Sequence, residues 1–175
     1  VPAWSILIAT LGSRQEKLKR LLDVLLPQAE ASGQVEVVAL RNSGERSIGR
    51  LRQVLLEDAR GRYASFVDDD DMVEPDFVPA VLEALAGSPD YVAFRHAYYE
   101  NGVPDPRVVI TGIQHGGWFD VPEAYYRDVT HVNPVRTGLA LKAGFRDQGS
   151  GEDTAYAGRL RPLLRSQAEI DRVLY

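Results

Sequence analysis

Apolar positions along the chain follow two alternating rhythms. Trp4 to Thr10 is a continuous apolar run with β-branched members, closed by Leu11-Gly12-Ser13, and reads as a strand buried on both faces. From Ser13 the rhythm turns helical: Leu18, Leu21, Leu22 and Leu25 share a face, Ser13 and Glu16 have capping-box spacing, and Pro27 and Gly33 mark the stop. Val35 to Leu40 predicts a second strand, Ile48 to Ala59 a second helix with Leu51, Val54 and Leu55 on one face, and Tyr63 to Val67 a third strand. Pro75 suits the first turn of another helix ending near Gly87. Strands alternating with helices call for an α/β fold with a mostly parallel central sheet flanked by helices.

Past residue 90 the pattern becomes mixed. Tyr91 to Tyr99 alternates like a strand, Asn101-Gly102 is a hairpin signal, and Arg107 to Thr111 is the candidate return strand. Val135 to Phe145 and Asp153 to Leu164 predict two more helices, and Ile170 to Tyr175 a closing strand. With 175 residues and neither a repeat nor a linker, one domain is expected.

The third strand runs directly into Asp68-Asp69-Asp70-Asp71, at the C-terminal sheet edge where open α/β sheets bind ligands. Four adjacent carboxylates repel one another and call for a cation. On an extended backbone Asp68 and Asp70 face one way, Asp69 and Asp71 the other. Oxygen ligands of this kind suit Mg²⁺ or Mn²⁺, which keep waters and bridge to phosphates. The competing reading is a solvated acidic turn at the start of the next helix; an EF-hand loop lacks its glycine and terminal glutamate here. A second acidic pair, Glu152-Asp153, follows Gly149-Ser150-Gly151. Asp153 fits either a helix N-cap or, in a cleft shared with the acid run, a general base acting on a hydroxyl.

Composition narrows these readings. No cysteine is present, which removes disulfides, thiolate metal sites and a cysteine nucleophile. The net charge of -5 disfavours a general nucleic-acid surface. No apolar run approaches a membrane span, and Val1-Pro2-Ala3-Trp4 enters the first strand without a signal-peptide core, so a cytoplasmic protein is expected.

In combination these segments resemble the family 2 glycosyltransferases of GT-A, Rossmann-like fold. Ser5 to Thr10 followed by Arg14 is similar to the first strand and nucleotide-contacting loop; Ala59-Arg60-Gly61-Arg62-Tyr63 through Asp71 is similar to the approach to a D-x-D-D metal motif. Gly151-Glu152-Asp153 resembles the later E-D motif, and His131-Val132-Asn133-Pro134-Val135-Arg136 with Phe145 the acceptor-side segment before it. The resemblance implies a metal-dependent, inverting transfer of a sugar from a nucleotide-diphosphate donor to a hydroxyl acceptor on a glycan or lipid-linked sugar. A hydroxymethylated DNA base is a third acceptor class, disfavoured by the net charge. Residues 1–90 would hold nucleotide and metal, and residues 91–175 the acceptor and the base.

The resemblance implies Asp153, paired with Glu152, as catalytic base. Asp70 and Asp68 would hold Mn²⁺ or Mg²⁺, with His131 as the histidine able to join them. Thr10, Leu11, Arg14, Asp68 and Asp69 would face the nucleotide. Where many relatives have an aspartate after the second strand, this chain has Arg41-Asn42-Ser43, so Arg41 and Asn42 take that place and the base stays open, with a UDP-sugar as the working donor. Arg52 is the candidate to reach the diphosphate, or else a solvated helical arginine. Trp118, Asn133 and Arg136 are the acceptor-side candidates, Trp118 being equally suited to closing the core. His96 reads as a packed strand histidine, His115 as a loop residue, and Tyr98, Tyr99, Tyr125 and Tyr126 as sugar-site linings or half-buried packing. Two other readings stand beside this one: a sugar-phosphate nucleotidyltransferase, which usually has a more glycine-rich first loop, and a metal-dependent nucleotide- or glycan-binding module without turnover.

Overall fold

The computed structural model describes residues 1–100 and 102–175. Strands β1 (Trp4–Leu11), β2 (Val35–Asn42) and β3 (Tyr63–Phe66) are parallel, with β1 in the middle. Beyond β3 come β4 (Tyr91–Glu100), β5 (Val103–Thr111), β6 (Phe119–Asp120), β7 (Ala124–Arg127), β8 (Val135–Arg136) and β9 (Gln167–Val173). The sheet order is β2-β1-β3-β8-β4-β5-β7-β6, and β9 pairs parallel with β4. The result is a mixed central sheet flanked by helices: β1 to β3 are parallel as the alternating pattern predicts, whereas β8, β4, β5 and β6 bring in antiparallel pairs, so the sheet as a whole is not mostly parallel.

Strand alternation builds two cores. From β1, β3 and β4, Trp4, Ile6, Ile8, Tyr63, Val92 and Phe94, with Val67 just past β3, face α1 (Gln15–Ser32) and α3 (Phe77–Leu85). Their neighbours Leu7, Ala64, Phe66, Tyr91 and Ala93 face the other way, onto α2 (Ile48–Asp58), α4 (Thr137–Ala143) and α5 (Glu152–Leu160). Coverage of both faces explains why β1 reads as an unbroken apolar run.

Several boundaries differ from expectation. Pro27 does not stop α1, which continues to Ser32 and ends at left-handed Gly33. A proline inside a helix costs about 3 kcal/mol; burial of Leu21, Leu25 and Ala29 outweighs it, at roughly 1.5–3 kcal/mol for each leucine. Ser13 caps nothing, because Gly12–Arg14 form a 3-10 turn ahead of α1. Pro75 lies outside α3, whose N-cap is Asp76. Val135 and Arg136 are strand rather than helix: they bridge β3 and β4, so α4 starts only at Thr137. β5 and β9 begin earlier than expected, α5 ends at Leu160 in a 3-10 turn, and β6 and β7 were not foreseen. Of the Asn101-Gly102 hairpin signal, Asn101 lies outside the described residues, although β4 and β5 do pair antiparallel. Among the described residues no helix is long and apolar enough to cross a membrane.

Candidate active site

The acid run leaves the sheet as a turn rather than an extended strand, closed by the Asp71 N–H donating to the Asp68 carbonyl at 3.1 Å. The four carboxylates therefore do not sort into two opposite pairs. Asp69 turns inward, 2% exposed, and accepts from Thr10 Oγ1 at 2.6 Å and Arg14 Nη1 at 2.8 Å. Asp70 points outward, 3.3 Å from Arg14 and 3.4 Å from Lys17. Asp68 accepts from Arg52 Nη2 at 2.7 Å and lies 3.3 Å from His131 Nε2. Asp71 accepts from the Tyr175 hydroxyl at 2.6 Å, and that hydroxyl accepts from the Asp68 N–H.

Burial opposes ionisation of Asp68, but His131 and then Arg52 hold its carboxyl well below the usual carboxylate range. Burial pushes the Tyr175 phenol well above its ordinary value, and the negative charges of Asp68 and Asp71 add to that, so it stays a neutral donor. Asp71 is raised by burial and by Asp68 and Asp70, against the lowering effect of the Tyr175 hydrogen bond.

Arg52 connects the acid run to the second acidic pair. Buried on α2, it forks from Asp68 to Glu152 Oε1, each contact 2.7 Å, with its guanidinium 5.8 Å from the Phe66 ring centroid and 6.0 Å from that of Phe145. It is therefore not a solvated helical arginine. The start of α2 is fixed against the loop before α5. Ser47 Oγ accepts from the Arg50 N–H and donates to Asp147, while the Gly49 N–H donates to the Gln148 carbonyl. A Cβ on Gly49 would collide with the Arg146 carbonyl oxygen, so only glycine permits this approach. Gly151, at φ 70°, caps α5; Asp153 sits inside the first turn and is not the N-cap. Its Oδ1 accepts from the Thr154 N–H and hydroxyl. Among the described residues no partner engages its other oxygen.

A cleft of about 560 Å³ opens over the C-terminal ends of β1, β2 and β3. It gathers Thr10, Leu11, Arg14, Asn42, Arg52, Asp68, Asp69 and Asp70, and Gly149 of the loop leading to Glu152 and Asp153. Arg41 stands on the exposed rim and donates to the Gly12 carbonyl. The Asn42 amide is occupied in closing its own loop, donating to the Arg46 carbonyl at 2.7 Å and accepting from the Arg46 N–H.

The acceptor-side candidates are not brought together. Asn133 is 1% exposed, its amide bonded to the Val92 carbonyl, Thr111 and Thr130. Arg136 pairs with Tyr63 at the opposite end of β3 from Asp68 and is tied to Asp90. Trp118 is half-exposed beside Arg127 and donates to the Val129 carbonyl. Two contributors were missed in the sequence. Lys17 lies one helical turn beyond Arg14, a spacing that could have revealed it, whereas Tyr175 lies 104 residues from Asp71 and carries no local signal.

Among the described residues no three acidic or histidine side chains converge as a complete metal site. Charge still leaves room for a cation. Five carboxylates, Asp68 to Asp71 and Glu152, face three permanent cations, Arg14, Lys17 and Arg52, which leaves two negative charges. One divalent ion would balance them, held by one or two carboxylates with waters and a phosphate ligand.

The profile described as Glycosyl transferase family 2 matches residues 5–143. The chain belongs to glycosyl transferase family 2. This family 2 chain is 29% identical over 75 residues to the putative glycosyltransferase EpsH of Bacillus subtilis (strain 168), a stretch covering 43% of the chain and 21% of EpsH. Its fold is similar to S. aureus TarS. The crystal structure of TarS 1-349 in complex with UDP-GlcNAc has a TM-score of 0.70 at 15% identity, over 98% of this chain and 57% of that one. TarS 1-349 itself gives 0.67 at 18%, over 98% and 59%. At these identities the likeness supports the GT-A architecture alone, and the chain spans less than two thirds of each relative's length, 57% and 59% of the TarS structures and 21% of EpsH.

Proposed function

We propose that the chain transfers a sugar from a nucleotide-diphosphate donor, a UDP-sugar as working assignment, to a hydroxyl acceptor, with inversion and with a divalent metal. The observation carrying this reading is the cleft that joins the turn Asp68 to Asp71 with the Thr10–Arg14 loop and, through Arg52, with the Glu152-Asp153 start of α5. UDP-GlcNAc in the TarS complex is consistent with that donor class.

In this scheme Thr10 and Arg14 fix Asp69, and Arg14 and Lys17 offer cationic groups toward the diphosphate. Mn²⁺ or Mg²⁺ at Asp70 and Asp68, within reach of His131, would supply neutralisation of the leaving diphosphate. The acceptor oxygen attacks the anomeric carbon from the face opposite the leaving group. The new C–O bond forms as the bond to the β-phosphate oxygen breaks, the hydroxyl proton passes to Asp153, and the nucleoside diphosphate departs. One displacement inverts the carbon, and orientation plus charge stabilisation provide the acceleration. Glu152 acts through Arg52 as a positioning residue.

Asp153→Asn tests the base. Nucleotide affinity should persist while turnover falls by at least about 10²–10⁴-fold, the range for a general base. Turnover equal to wild type would remove Asp153 from that role, and an unchanged rate with lost affinity would place it in binding instead.

A further inference from the structure

The cleft over β1, β2 and β3 has two chemically different ends. Every carboxylate in its wall belongs to Asp68, Asp69 or Asp70, at the acid turn beside Arg14. The other end is built from the loop after β2 and the start of α2, with Asn42, Gly44, Arg46, Ser47 and Ile48 in its wall. With a diphosphate on the acid turn, the nucleoside extends to this second end. Leu11, 41% exposed, and Ile48 supply apolar surface there for a planar ring.

Most of the hydrogen-bonding capacity at that end is taken up by the protein itself. The Asn42 side chain, 6% exposed, donates to the Arg46 carbonyl at 2.7 Å and accepts from the Arg46 N–H at 3.3 Å. The loop so closed passes through Gly44 at φ 95°, a conformation that favours glycine. Ser47 Oγ donates to Asp147 and accepts from the Arg50 N–H. The Arg46 guanidinium differs from both. Among the described residues it has neither a hydrogen bond nor an ion pair, although its backbone is clamped at N–H and C=O. A ligand at this end therefore meets one fork of N–H donors on a fixed base, and no uncommitted side-chain acceptor.

We propose that Arg46 reads the nucleobase of the donor and selects a base with two adjacent acceptor atoms: guanine through O6 and N7, or cytosine through O2 and N3. A guanidinium fork fills two such acceptors at once. Uracil and thymine carry an N–H between their two carbonyls, and adenine carries its amino group beside N1 and N7, so each of these offers the fork a single acceptor. Guanine and cytosine share the chemistry, and titration separates them. This assignment rests on the donor-site reading above and replaces its working choice of uridine.

Calorimetry on the whole chain with Mn²⁺ tests it, titrating GDP, CDP, UDP and ADP into wild type, Arg46→Lys and Arg46→Ala. GDP or CDP should bind at least about tenfold tighter than UDP and ADP. Arg46→Lys keeps the charge and loses the fork, so the preferred diphosphate should fall to the level of UDP while UDP itself changes little. Both contacts with Asn42 use the Arg46 backbone, so the loop should survive either substitution, and a thermal scan checks that it does. If UDP or ADP binds tightest, if the preference survives both substitutions, or if both weaken all four diphosphates alike as a phosphate contact would, the base assignment is wrong and the donor reading stands. A folded wild type that binds none of the four overturns the donor reading, and this assignment with it.

Discussion

Replacing Arg52 by methionine removes a guanidinium lying between two carboxylates while keeping similar apolar bulk. The side chains of Arg52 and Glu152 are 6% and 9% exposed, and that of Asp68 is 34% exposed. Removing one partner of a buried ion pair costs about 3–5 kcal/mol, because the other charge stays buried without compensation. Asp68 is one-third exposed and keeps His131, so most of the loss falls on Glu152 and the lower end, about 3 kcal/mol, applies. Adding Glu152→Gln makes the stranded group neutral and should recover about 1–2 kcal/mol, giving a double-mutant cycle with clear coupling. With a urea m-value of about 2 kcal/mol/M, the single variant should shift the unfolding midpoint down by roughly 1.5 M. Urea titrations followed by far-UV circular dichroism on wild type, both single variants and the double would measure this. An Arg52→Met shift under about 0.5 M, or a double variant equal to the sum of the singles, would refute the bridge as a structural coupling.

Three further outcomes follow from other contacts. Burial, with His131 adding to it, pushes the His96 imidazole from 6.5 down to about 3, so the unfolded chain takes up a proton that the folded one refuses. Stability should therefore fall by ~3 kcal/mol as pH drops from 6.5 to about 4, and urea titrations across that window should give a flatter profile for His96→Phe. Equal slopes would remove His96 as the source. Gly49→Ala should lower Tm by roughly 5–10 °C, since the new methyl meets the Arg146 carbonyl and must push the 146–148 loop away from α2; a thermal scan showing an unchanged Tm would contradict that packing. Tyr175→Phe removes the hydroxyl that ties Asp71 to the Asp68 N–H. It should weaken metal-dependent nucleotide binding by roughly tenfold while changing Tm little, as read by calorimetry and a thermal scan, and unaltered affinity would show the acid turn to be held without it.

The parts of the fold that show in the sequence are those whose cause is local. β1 to β3 are short buried runs between turn residues, and the acid run announces itself by a charge density that a sheet edge tolerates only for a reason. Arg14 and Arg52 enter the reading through the likeness of their segments to those of the family, and both line the cleft. What was lost depends on distant partners. Pro27 is accommodated because α1 packs its leucines onto the sheet, which a propensity argument does not count. Val135 and Arg136 resemble a helix start, yet a two-residue gap between β3 and β4 claims them as strand. The acid run was expected to stay extended, whereas Thr10, Arg14, Arg52 and Tyr175 pull successive carboxylates in different directions and fold it into a turn. Asn133 and Arg136, chosen by likeness of their segment, have their polar groups occupied in tying the sheet together.

Calorimetric titration of nucleoside diphosphates and their sugars, with and without Mn²⁺, on wild type and Asp70→Ala, tests the donor site most directly. Binding of one nucleotide class that requires both the metal and Asp70 is the expected result, and it would name the base that Arg41-Asn42-Ser43 leaves open. A folded chain that binds no nucleotide under either condition would contradict the donor site and return the acid turn to a purely structural role.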